Sequence, residues 1–120
     1  MVSMKNDLFF MERAYEQALL GFKKDEIPVG AVVVYGNEII SEAHNESIFK
    51  TDPTSHAEIV AIRKAALKIG NYRLTNAKMF VTLEPCLMCC GALIHARFDK
   101  VIFSTHDKKS GAVSSNGKLL

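Results

Sequence analysis

No stretch of this sequence is apolar for long enough to cross a bilayer as a helix. The longest apolar runs, residues 29–35 and 86–94, fall far short of the ~20 residues required. No secretory pattern opens the sequence either. Glu12 and Arg13 interrupt the apolar stretch 8–11 before it reaches the length of a signal core, so a cytoplasmic location is expected, with no membrane partner. Cysteine is scarce. Three thiols cannot all pair within one chain, and cytosolic thiols stay reduced, so metal binding or catalysis is the first expectation for them. Internal repeats and Pro/Gly/Ser-rich linkers are also missing, and 120 residues read as a single domain. With 48% hydrophobic and 23% charged residues, the composition matches a soluble globular domain and excludes disordered, collagen-like and coiled-coil chains.

Net charge is small, +2, but unevenly spread. Residues 1–60 carry 5 Lys/Arg against 10 Asp/Glu, whereas residues 61–120 carry 10 against 3. A basic half suits a polyanionic partner such as nucleic acid; it suits a plain solvated surface equally well.

Leu8, Met11, Tyr15, Ala18 and Phe22 recur at helical spacing and predict an amphipathic helix over 7–24. Residues 29–35 are apolar and β-branched, Gly36-Asn37 reads as a tight turn, and 38–43 continue as a second strand of an antiparallel hairpin. Asp52-Pro53 reads as a helix start, with Asp52 as N-cap and Pro53 in the first helical position. Ile59, Ile62, Ala66 and Ile69 then share one face, and Gly70 stops the helix. A strand at 79–83, a helix from Pro85 to about Ala96 and a strand at 101–104 complete the order α-β-β-α-β-α-β. That order favours a three-layer α/β sandwich whose last crossovers are parallel and right-handed. Periodicity fails after Asp107, so the expected organisation is a domain over 1–107 and a loop or frayed tail over 108–120.

His56, Cys86 and Cys89 stand out as metal ligands. Cys86-Leu87-Met88-Cys89 places two sulfurs three residues apart, on one helix face. Pro85 sets Cys86 in a first turn, where unpaired N–H groups favour the thiolate; His56 is set likewise by the Asp52-Pro53 cap. Two helix N-termini side by side would present three ligands to one Zn²⁺ and leave its fourth tetrahedral position open, as in catalytic rather than structural sites. Glu58 lies two residues after His56. Within a helix the pair would point to nearly opposite sides, so they share a site only if it lies off the helix end. There a non-ligating Glu58 can take a proton from a zinc-acidified water and deliver it to a leaving amine. The plainer readings are a disulfide or a closed zinc knot. A knot needs a fourth protein ligand, and Cys90, adjacent to Cys89, faces elsewhere and reads as a small core residue.

His56-Ala57-Glu58 with Pro85-Cys86-Leu87-Met88-Cys89 matches the zinc deaminase signature H-x-E…P-C-x-x-C. Further motifs are Ile27-Pro28-Val29-Gly30-Ala31-Val32, Asp52-Pro53-Thr54-Ser55, Asn71-Tyr72-Arg73-Leu74, Val81-Thr82-Leu83-Glu84 and Gly91-Ala92-Leu93-Ile94-His95-Ala96-Arg97. On these the chain resembles the cytidine deaminase-like superfamily and, within it, the bacterial tRNA-specific adenosine deaminases. The resemblance implies a three-layer α/β/α sandwich with a mixed sheet, a Zn²⁺ cofactor, a tRNA anticodon stem-loop as substrate, and a homodimer. It implies zinc ligation by His56, Cys86 and Cys89, proton shuttling by Glu58, and hydrolysis of wobble adenosine to inosine. It further implies that Asn45 hydrogen-bonds the flipped-out base and Val29 lines its pocket. The Ala57 N–H and the region around Glu84 would hold the purine, and Asp107 would contact a neighbouring ribose. Plainer roles exist for Asn45 (a turn residue at a strand end), Val29 (hairpin core) and Asp107 (a solvated loop carboxylate). No partner pattern assigns a role to His44, His95 or His106.

The resemblance also implies a further strand and a C-terminal helix beyond this sequence, the helix supplying basic and aromatic contacts to the stem-loop. Without them the strand at 101–104 is expected as an exposed edge. Two other functions fit the same motifs: deamination of a free base or nucleotide of guanine or cytosine type, and a zinc-stabilised interaction module without catalysis.

Overall fold

The structure, a computed structural model, describes residues 6–115. Helix α1 (Asp7–Lys23) starts where the Asn6 side chain accepts the Phe9 N–H at 3.0 Å. It buries Phe10, Ala14, Ala18 and Gly21. This is not the face that the apolar spacing predicts: of that set only Ala18 is buried, while Leu8, Tyr15 and Phe22 are exposed. Proximity is the reason. Ala14, Ala18 and Gly21 are small, and at Gly30 on the facing strand a Cβ would collide with the Ala14 carbonyl and the Ala18 amide. The helix therefore lies on the sheet along its small residues, and the large ones flank the contact. Gly30→Ala should lower stability by about 3 kcal/mol, at the upper end of overpacking costs because the obstacle is backbone, measured by urea unfolding.

Strands β1 (Gly30–Tyr35) and β2 (Glu38–His44) form the expected hairpin. Gly36 and Asn37 both have positive φ, 57° and 65°, as a type I′ turn demands. Strand β3 (Lys78–Leu83) pairs antiparallel with β1, and β4 (Lys100–Thr105) pairs parallel with β3, so the sheet order is β2-β1-β3-β4. The sheet is mixed, as expected. Its two faces divide by the alternation of β1. Val32 and Val34 pack with Phe10, Ala14 and Phe80 under α1. Ala31 and Val33 pack on the opposite face against Ala57, Val60, Ala61 and Leu93. Those belong to helices α3 (Ala57–Ile69) and α4 (Leu87–His95), which make the third layer. Helix α3 buries Ala57, Val60, Ala61 and Ala65 along with Ile59, so its core stripe also sits beside the predicted one, and Ile69 is exposed. Strand β4 lies at one edge of the sheet among the described residues.

Two helix starts fall later than predicted. Asp52 does not cap a helix. Its carboxylate accepts the Ser55 hydroxyl, the Thr54 hydroxyl and the Thr54 N–H, at 2.7, 2.7 and 2.9 Å, and these bonds bring its pKa down to about 2. The side chain thus closes a turn upon itself, and α3 begins at Ala57 with His56 as N-cap. Likewise α4 begins at Leu87 with Cys86 as N-cap, not at Pro85. A one-turn helix α2 (Ser47–Lys50), which no periodicity announces, follows β2. Helix α3 ends at Gly70 with φ 77°, as predicted. Residues 108–115 form successive turns; Gly111 bridges Cys86, and Gly111 and Ala112 are buried. The remainder of the predicted tail, 116–120, lies outside the described residues.

Candidate active site

The N-termini of α3 and α4 converge. His56 and Cys86 are their cap residues, yet neither side chain caps its own helix, so the imidazole and the thiol are left for another partner. Cys89 sits one turn into α4. His56 Nδ1 lies 3.6 Å from Cys86 Sγ and 3.5 Å from Cys89 Sγ, and the three donor atoms fall within 4.8 Å of one another. Zinc bonds of ~2.3 Å to sulfur and ~2.0 Å to nitrogen, at a tetrahedral angle, put N and S about 3.6 Å apart. Both N···S separations therefore match those around a tetrahedral Zn²⁺. Among the described residues no fourth His, Cys, Asp or Glu joins the group. The cysteines form no disulfide. Cys90 is buried with its Sγ on the Pro85 carbonyl, and burial pushes its thiol up to about 11. It is a core residue.

The Cys86 and Cys89 sulfurs hydrogen-bond to each other. Hydrogen bonding from Cys89 brings the Cys86 thiol down to about 5, helped by the Cys89 N–H and by His56, while Cys89, bonded to that sulfur and buried, is pushed up. Glu58 occupies the second position of α3, so it shares with His56 the space off the helix end. It is buried, and that burial raises its carboxyl to about 7 against the pull of its own backbone N–H and of His56.

His56, Glu58 and Cys86 line a cavity of about 220 Å³. Ile27, Val29, Leu83, Glu84, Asp107 and Ser110 line it as well. Val29 also belongs to the core. Asn45 enters from the end of β2, fixed at three points. Its N–H donates to the Val29 carbonyl at 3.3 Å, its carbonyl accepts His44 Nδ1–H at 2.8 Å, and its Oδ1 accepts the Ala57 N–H at 2.7 Å. With Oδ1 so engaged, the amide NH₂ is the group Asn45 offers to a ligand. The Ala57 N–H, expected to hold the purine, is spent on orienting Asn45. Glu84 also lines the cavity. Its buried carboxylate turns to residues 107–115 and accepts the N–H groups of Asp107, Val113, Ser114 and Ser115. Burial alone would raise its pKa, but these N–H groups and the Ser115 hydroxyl outweigh that and hold it well below the usual carboxylate range. Asp107 does face the cavity, with Oδ1 accepting the Lys109 and Ser110 N–H groups at 3.1 Å each. Ile27, Leu83, Ser110 and the His44 support of Asn45 were not predicted; apolar walls and backbone bonds leave no side-chain motif.

Residues 4–105 match the family model described as the cytidine and deoxycytidylate deaminase zinc-binding region. The chain is also 47% identical over 112 residues to the tRNA-specific adenosine deaminase of Aquifex aeolicus, covering 93% of this chain and 74% of that one. The chain belongs to the zinc-binding deaminases, among the tRNA-specific adenosine deaminases. Another of these deaminases, from Haemophilus influenzae, is 53% identical over 91 residues, 75% of this chain but only 53% of its own length. A solved tRNA:A34 deaminase, studied for A-to-I editing at the wobble position, superposes with a TM-score of 0.90 at 40% identity, covering 91% of this chain and 79% of that one. The guanine deaminase of Bacillus subtilis superposes at 0.83 with 38% identity, covering 85% and 66%.

Proposed function

We propose that this chain hydrolyses wobble adenosine to inosine in a tRNA anticodon loop, releasing ammonia. The observation that carries the reading is a group of three zinc-ligand donors at a base-sized cavity that His56, Cys86 and Glu58 line. At 220 Å³ the cavity is small against the ~300–1,000 Å³ of drug-sized ligand sites, so it suits one base extruded from a strand rather than a whole nucleotide.

His56, Cys86 and Cys89 would hold Zn²⁺, which would supply a Lewis acid able to lower the pKa of water to about 7. The remaining work falls to the chain. Glu58, with its pKa near 7, both accepts and returns a proton at neutral pH, first as base and then as acid toward the amine lost from C6. The Asn45 NH₂ donates to an acceptor on the purine edge, and the Val29 and Leu83 walls keep bulk water from the ring. An anticodon loop leaves its adenine unpaired, which lowers the cost of extrusion. The chain is further proposed to act in the cytoplasm as a homodimer. Leu87, Met88 and Ile94 of α4 are exposed beside the ligand cysteines, an apolar face that a second copy would bury. Among the described residues no helix is long and apolar enough to cross a membrane.

The likeness to a guanine deaminase favours a second reading, deamination of a free base. Zinc-loaded protein incubated with an anticodon stem-loop carrying wobble adenosine should yield inosine, and guanine or cytosine should yield no ammonia. Ammonia from guanine with no inosine from the stem-loop reverses the choice.

A further inference from the structure

The segment 107–115 walls the cavity yet contains no helix and only an isolated bridge. One side chain gathers most of its bonds to the rest of the fold. Glu84, with its side chain fully buried, follows β3 and precedes Pro85-Cys86. Its Oε1 accepts the Asp107 N–H at 3.1 Å and the Ser115 hydroxyl, with His106 Nδ1 at 3.4 Å. Its Oε2 accepts three successive N–H groups, from Val113, Ser114 and Ser115, at 3.0, 2.8 and 3.0 Å. The converging N–H groups form an anion-holding concavity, and a buried carboxylate needs such a set. Gly111 lies against it: a Cβ there would press on the Glu84 carboxylate and the Asp107 carbonyl. Two backbone bonds, Ala112 N–H to Pro85 O and Glu84 N–H to Thr105 O, stitch the same region at 2.9 and 2.8 Å.

Building on the deaminase reading, we infer that Glu84 is a positioning residue that latches segment 107–115 over the cavity and thereby sets the grip of Asp107 and Ser110 on the substrate nucleotide. Both its oxygens are committed to the segment, so Glu84 acts through Asp107 and Ser110. Loss of the latch weakens ground-state and transition-state binding alike, which raises KM and spares kcat.

The test uses zinc-loaded full chain, as wild type, Glu84→Gln and Gly111→Ala. Amide hydrogen exchange is measured without RNA, and kinetics with the stem-loop. In Glu84→Gln the single amide oxygen can still serve Val113, Ser114 and Ser115, but its NH₂ meets the Asp107 N–H donor to donor. The Asp107 amide should therefore exchange at least about tenfold faster while the other three change less. KM should rise about tenfold with kcat within about twofold. Gly111→Ala, which keeps the carboxylate and disturbs the segment instead, should raise KM likewise and speaks for the latch even if Glu84→Gln folds poorly. Unchanged exchange at Asp107 in Glu84→Gln, or a fall in kcat at constant KM, overturns the inference. Because exchange is read without RNA, it judges the latch even if wild-type protein makes no inosine, an outcome that would defeat only the proposed function.

Discussion

Glu58→Ala should lower kcat by about 10²–10⁴-fold, the usual contribution of a positioned acid–base group, and leave zinc content unchanged. Two features combine to give this split. Glu58 lines the cavity with His56 and Cys86, within reach of a substrate there, but lies outside the ligand group. Its carboxyl is also buried, with its pKa raised to about 7, so the side chain is kept at a cost that folding alone does not explain. Glu58→Gln, which keeps shape and removes the acid, should match Glu58→Ala in kcat. Metal analysis and single-turnover inosine formation on the same preparations check both halves. Full activity in Glu58→Ala would defeat both deaminase readings and leave a zinc-stabilised interaction module as the remaining function.

Cys86→Ala should do the reverse: it removes the metal and stability together. Two ligands from one helix cap and one turn of the next cannot hold the ion as three do, and metal that binds only the folded chain stabilises it by mass action. A site saturated about 1,000-fold over its dissociation constant contributes about 4 kcal/mol, which for a domain of this size corresponds to a Tm drop on the order of 10–20 °C. Bound zinc should fall from about one ion per chain to a trace. Chelator should lower the Tm of wild type toward that of the variant and leave the variant where it is. Calorimetry with and without chelator reads this directly. Zinc retained in Cys86→Ala would show that the ligand set is wrong.

Sequence patterns disclose the parts of this site that consist of side-chain chemistry at short spacing. His56, Cys86 and Cys89 are rare donor types, and two of them sit three apart, so their shared task shows before any fold is known. Glu58 is equally legible once the site is placed off a helix end. The Gly36-Asn37 turn is legible because positive φ at both positions admits few residues. Patterns fail where several positions compete for one role. Asp52-Pro53 has the form of a helix start, but Thr54 and Ser55 take the Asp52 oxygens first. In α1 the spacing of large apolar residues marks the wrong face, since close approach at Gly30 rewards small side chains. The role of Glu84 is invisible for another reason. Its partners are mostly backbone N–H groups, which nearly every residue carries, so nothing in 107–115 marks it as the mate of a carboxylate more than twenty residues earlier.

Zinc K-edge X-ray absorption on the loaded wild-type protein measures the coordination shell itself. Two sulfurs, one imidazole nitrogen and one light solvent ligand are expected, the composition of an open catalytic site built by His56, Cys86 and Cys89. A third sulfur, a second imidazole, or no ordered zinc shell would contradict it.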